Sequence, residues 1–144
     1  MAHLFPSAPW AESYKDAINQ NTRYREAAHD WDEGAIALVC KAEPSLGITD
    51  AQAIVLDLEY GECHGVHYTD RATALAEAPY VIEADYATWK SVIRGELDPI
   101  VAMLSSRLQL TQGALARLIK DVEGSQALVS SASNIPTQFP DEQG

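Results

Sequence analysis

The stretch AQAIVLDLEYGECHGVHY, residues 51–68, carries the pattern on which the fold turns. Ile54, Leu56, Leu58 and Tyr60 alternate with Val55, Asp57 and Glu59, the two-residue period that sends side chains to opposite faces of a strand. Gly61 and Glu62 are expected to turn the chain tightly, and residues 63–68 return as the second arm of a hairpin. Upstream, residues 34–41 (GAIALVCK) form an apolar run too short for a stable helix and suited to a buried strand; residues 44–50 supply a loop. Downstream, residues 80–85 (YVIEAD) alternate again, with Tyr80, Ile82 and Ala84 on one side. The polar, alanine-rich residues 69–78 between them read as a loop or short helical turn. The expected product is an antiparallel sheet covered on one face.

The cover comes from both flanks. Trp10, Tyr14, Ala17, Ile18, Asn21, Tyr24, Ala28 and Trp31 recur at three- and four-residue spacing, which predicts one helix over residues 8–30. Ser7 caps it, and Pro9 is tolerated in the first turn. Its large aromatics, Trp10, Tyr14 and Tyr24, read as core packing on the sheet rather than as a stacking platform. On the other flank, residues 87–94 form a helix burying Trp89, Val92 and Ile93 and stopping at Gly95. Asp98-Pro99 starts the next helix, with Ile100, Val101, Met103 and Leu104. Residues 107–111 alternate as a strand with Leu108 and Leu110 inward, and Gly113 breaks it. Residues 114–123 are amphipathic through Leu115, Leu118, Ile119 and Val122, with Gly124 as the stop. Residues 32–132 hold the sheet and its helices, and residues 133–144 form an irregular tail within one domain spanning 1–144.

Composition narrows the function. The chain has 144 residues, 47% of them hydrophobic and 22% charged, enough for one self-sufficient core. Ten Lys and Arg against 21 Asp and Glu give a net charge of −11, with a sequence pI near 4.6. That balance argues against nucleic acid as a partner and against charge-driven docking on an anionic leaflet. No run reaches the ~18–20 apolar residues of a membrane span, so no stable insertion is expected. The N-terminus lacks the pattern of a secretory signal, which predicts a cytoplasmic protein with Cys40 and Cys63 reduced; one bridge between neighbouring strands stays open. Cys63-His64-x-x-His67 has metal-like spacing, but a strand would put Cys63 and His67 about 13 Å apart and His64 on the opposite face, so no metal is expected. Ser105, Ser106, Ser130 and Ser131 stand in no nucleophile context, and no phosphate-binding glycine loop exists. Neither catalytic residues nor a cofactor are predicted.

One segment carries a resemblance. Trp89-Lys-Ser-Val-Ile-Arg-Gly95-Glu-Leu-Asp98-Pro99-Ile-Val-Ala102-Met103, followed by Leu108-Gln-Leu110 and Gly113, resembles the sterol carrier protein (non-specific lipid-transfer) family. Tyr24-Arg-Glu-Ala-Ala28 with Trp31, and the tail Pro136-Thr-Gln-Phe139-Pro140, look like a small bacterial subgroup of stand-alone members. The resemblance implies an α+β fold, a five-stranded, mainly antiparallel sheet covered by helices, with an apolar tunnel between sheet and C-terminal helices. It implies binding or transfer of fatty acids, acyl chains, sterols or other lipids without covalent chemistry. Trp89, Ile100, Met103, Leu104, Leu108, Leu110, Leu115, Leu118, Ile119 and Val122 would then line the cavity. Ser106 departs from the family, which usually has Gly there; a left-handed turn at Ser costs roughly 1 kcal/mol more, which predicts a remodelled turn. The alternative is an accessory scaffold or dimerisation module with a filled core. An apolar mouth could equally be covered by a second copy, so a homodimer stays open.

Overall fold

The computed structural model describes residues 2–142. A short strand β1 (His3–Leu4) leads into α1 (Ala8–Gln20) and α2 (Thr22–Ala27), followed by β2 (Ile36–Cys40) and the hairpin β3 (Gln52–Glu59) and β4 (Glu62–Asp70). Helix α3 (Arg71–Glu77) crosses to β5 (Tyr80–Ala84). Helices α4 (Tyr86–Ile93) and α5 (Pro99–Leu104) precede β6 (Gln109–Gln112); α6 (Leu115–Lys120), α7 (Val122–Ser130) and β7 (Thr137–Gln138) complete the fold. The five-stranded sheet runs β4-β3-β2-β5-β6. Three of its pairings are antiparallel and β2–β5 is parallel, because α3 carries the chain from one side of β2 to the other. The architecture is α+β with a mixed sheet.

The first helix is two. Asn21 leaves helical geometry and its side chain accepts from the Arg23 and Tyr24 amides, so it caps α2 while the apolar stripe runs on. Its amide group reaches Ala127 and Ser131, pinning the break to the far end of the chain. Asn19 pairs in both directions with the Cys63 backbone, occupying part of the open edge of β4.

The hairpin turns at Tyr60 and Gly61 rather than at Gly61 and Glu62: Glu59 pairs with Glu62, and both turn residues have positive φ, 50° and 82°. A Cβ on Gly61 would lie 2.5 Å from the Arg25 carbonyl oxygen, so no side chain fits there. In β4 the register shifts, Leu58 facing Cys63 and Asp57 facing Gly65, and the extra residue reverses the alternation. Cys63, Val66 and Tyr68 therefore join the face covered by α1 and the C-terminal helices, whereas His67 lies over the opposite face, on Glu77 of α3. The expected sharing of a face by Cys63 and His67 is corrected.

The sheet is covered on both faces, not one. Residues 69–78, expected as a loop or short helical turn, contain the seven-residue helix α3, capped by Asp70 and packed over Ala37, Val39, Ala53, Val55 and Val81. The remaining helices cover the opposite face, where Trp10, Tyr14, Ile18, Leu56, Leu58, Leu108 and Leu118 are almost wholly buried. The tail is more ordered than expected: β7 pairs in parallel with β1, and the Trp10 indole donates to Thr137.

Candidate functional site

Two short helices and a turn set the walls of the site. Asp85 caps α4 through the Thr88 amide, and the Trp89 indole donates to the Val39 carbonyl across 2.8 Å, fixing the ring against β2. Asp98 accepts from the Ile100 and Val101 amides, and its second oxygen accepts from Gln126, tying α5 to α7. Helix α5 ends at Ser106 in the left-handed conformation, φ 64°. The Arg107 and Leu108 amides both donate to the Ala102 carbonyl, and Leu108 turns inward. The turn is thus not remodelled; Ser106 takes the left-handed geometry that glycine adopts most cheaply.

Between this layer and the sheet lie two enclosed apolar voids. Phe5, Pro6, Trp10, Cys40 and Ile54 contribute to the first, and Ile82, Pro99, Met103, Leu108 and Leu118 to the second. Leu38, Trp89 and Val129 border both, so the voids form one seam with a shared partition. Its polar side-chain groups are those of Gln52 and Ser125, the Cys40 thiol, the Tyr14 hydroxyl and the Trp10 and Trp89 indole N–H groups. Each void leaves about 20 Å³ for the centre of a water-sized body, space for roughly one water molecule. An acyl chain needs the walls to part.

Of the predicted lining, Trp89, Met103, Leu108 and Leu118 border the seam. Ile100, Leu110 and Val122 are half-buried outside it. Leu104, Leu115 and Ile119 are corrected outright: they are 66%, 38% and 42% exposed and point away from the core. Leu104 is the last residue of α5, and the expected helix over residues 114–123 is divided at Asp121 (φ −102°, ψ 43°) into α6 and the start of α7. Six residues make under two turns, so α6 sends only Leu118 fully inward. Gly124 does not stop the helix; it lies buried within α7, where a Cβ would come 2.8 Å from the Asp121 carboxylate. Sequence reading missed Leu38 and Val129. The all-apolar strand at residues 36–40 signalled the first; the second lies in α7, which the supposed stop at Gly124 concealed.

The titratable groups on this face are quiet. Burial pushes the Cys40 thiol up to about 12 and the Cys63 thiol up to about 11, so both stay protonated at neutral pH. Both are free, and β3 separates their strands, which removes the bridge left open by the sequence. Burial also raises Tyr14, whose hydroxyl donates to the Leu128 carbonyl, and Tyr24. Among the described residues no three His, Cys, Asp or Glu side chains converge as a metal site, and no helix is long and apolar enough to cross a membrane.

No protein-family model and no curated protein matches the chain. Solved structures do. A crystal structure of a sterol carrier protein 2 is 37% identical, with a TM-score of 0.83 over 90% of this chain and 97% of its own. A conserved hypothetical protein of Thermus thermophilus, described as possibly a sterol carrier protein, is 36% identical, with a TM-score of 0.81 over 92% and 90% of the two chains. The apo form of sterol carrier protein 2 from Yarrowia lipolytica shares the fold at 12% identity, with a TM-score of 0.56 over 90% of this chain and 94% of its own.

Proposed function

Because this chain belongs to the sterol carrier protein 2 family, we propose that it binds or transfers an apolar ligand, a fatty acid, acyl chain, sterol-like molecule or other lipid, in the seam between sheet and helices. The observation that carries this reading is the pair of apolar voids sharing Leu38, Trp89 and Val129. Burying a methylene yields ~0.8 kcal/mol, so a long chain offers on the order of 10 kcal/mol against the cost of parting the walls and of association. The apolar lining supplies that gain without a directed polar contact. Binding is non-covalent in this reading, and the protein acts as a carrier rather than an enzyme, with no cofactor. A seam open at Met103 and Leu118 would admit the chain, with Trp89 held on β2 and Val129 on α7 as the displaced side of the partition.

One observation favours a second reading. Voids with room for about one water each suit a filled core, and hence an accessory scaffold or dimerisation module without ligand. Mass spectrometry of lipids extracted from the purified protein, followed by titration with a fluorescent fatty acid, decides between the two. Stoichiometric lipid or saturable micromolar binding supports the carrier; neither lipid nor saturable binding overturns it in favour of the scaffold.

A further inference from the structure

Leu38, Trp89 and Val129 make the partition between the two voids, and two of the three are held in place. Leu38 stands on β2, which is paired on both sides, with β3 and with β5. Trp89 is 4% exposed and lies midway along α4, a helix capped by Asp85 at its start and closed by Gly95 in the left-handed conformation at its end. The Ser133 hydroxyl donates to the Ile93 carbonyl and ties down the last turn. Swinging the indole out of the seam would break its bond to the Val39 carbonyl and leave a buried donor unpaired. The backbone beside Val129 is tied as well, because Tyr14 and Asn21 donate to the Leu128 and Ala127 carbonyls. What yields at the partition is the Val129 side chain, the smallest of the three.

We propose that Trp89 makes the seam selective for an unbranched acyl chain over a sterol. The inference rests on the reading of the seam as the ligand site and narrows its ligand to one class. A single file of methylenes has the same slender cross-section along its length and bends at every bond, so it passes the indole once Val129 moves aside. The fused rings of a sterol are wider and rigid, and neither void, with room for about one water, takes them while the partition stands. A sterol therefore requires Trp89 to leave Val39. The same partition imposes a length dependence. A chain entering past Met103 and Leu118 fills the second void first, gaining about fourfold in affinity for each methylene buried. On reaching Trp89 it must displace Val129, and the next methylenes add little.

The test is displacement of a fluorescent fatty acid from the full chain by saturated acids from octanoic to octadecanoic and by cholesterol delivered from cyclodextrin. Affinity is expected to climb with chain length and then level off, with cholesterol at least about a hundredfold weaker than hexadecanoic acid. Trp89→Phe keeps a ring but loses the indole bond, and Val129→Ala thins the partition from α7; each should carry the climb about two methylenes further. Trp89→Phe should also strengthen cholesterol binding about tenfold. Ile18→Val, a truncation of the core away from the seam, should leave the levelling-off point where it was. If Trp89→Phe does not fold, Val129→Ala carries the length test alone. Cholesterol bound as tightly as hexadecanoic acid, or a levelling-off point that neither variant moves, overturns the selectivity while the seam stands as a lipid site. No saturable binding of the fluorescent fatty acid, and none of cholesterol, overturns the reading of the seam and the selectivity with it.

Discussion

The two faces of the sheet are built on opposite plans. Under α3, the buried contacts are Ala and Val, Ala37, Val39, Ala53, Val55, Ala74, Ala78 and Val81, with Leu75 at the margin. Small side chains let a helix seat closely, and neither enclosed void borders this face. The other face interlocks Trp10, Tyr14, Leu38, Trp89, Leu108 and Leu118, and it is there that the seam lies. Large rigid rings fill space efficiently only when every neighbour matches, so a face of big side chains retains gaps that a face of methyls does not. The closed face is also bolted. Glu83, buried on β5, takes two bonds from Arg71 at the start of α3 and a third from Thr111 on β6. One face supplies rigidity; the other keeps room to yield.

Overfilling the closed face should have the largest effect. Ala53 is fully buried beneath α3, and Ala53→Leu is expected to cost about 3 kcal/mol, a loss of roughly 10 °C in thermal melting, while fatty-acid affinity stays unchanged. Removing the bolt comes next. Glu83→Gln should cost about 1–2 kcal/mol at pH 7, moderated by the partial exposure of Arg71, or about 5 °C. The Arg71 guanidinium holds the Glu83 carboxyl below the usual glutamate range, so its contribution is complete above about pH 4.3 and disappears as pH falls through the folded value. The melting gap between parent and variant should therefore be flat from pH 7 to pH 5 and close in stronger acid; a gap that widens would contradict the assignment.

A smaller effect is expected from overfilling the other face. Leu118→Trp should cost about 1 kcal/mol, or about 3 °C, because the second void absorbs part of the added volume. The same change should lower affinity for a fluorescent fatty acid at least about tenfold. If Leu118→Trp melts as low as Ala53→Leu, the contrast between the faces is broken. The smallest change lies at the end of α5: Ser106→Gly removes a left-handed serine and should raise melting by about 1–2 °C, net of glycine's greater freedom when unfolded.

Strands were legible because burial enforces their period; residues 52–59 and 80–84 form where alternation places them. What escaped depends on single side chains acting at a distance. Asn21 ends one helix and caps another without interrupting the apolar stripe, and the β4 bulge reverses a face with one inserted residue. The all-apolar β2 signalled a buried strand, yet the alanine-rich, polar segment over it read only as a loop or short helical turn, not as the helix α3 that closes a second face. Trp89, Met103, Leu108 and Leu118, named by the spacing and the resemblance together, border the second void. Leu104, Leu115 and Ile119 were misplaced because apolar type was taken for burial: Leu104 ends α5, and α6 is too short to bury more than Leu118.

The parallel pairing of β1 with β7 has a mechanical consequence. Tension entering ahead of His3 and leaving beyond Gln138 pulls two side-by-side parallel strands in opposite directions, so their bonds are loaded together in shear rather than unzipped in turn. The His3 amide on Pro136 and the Phe5 amide on Gln138 share that load at once. Phe5 is also a wall of the first void, so a pull strong enough to slide the clasp draws the ring from the seam while the sheet still holds.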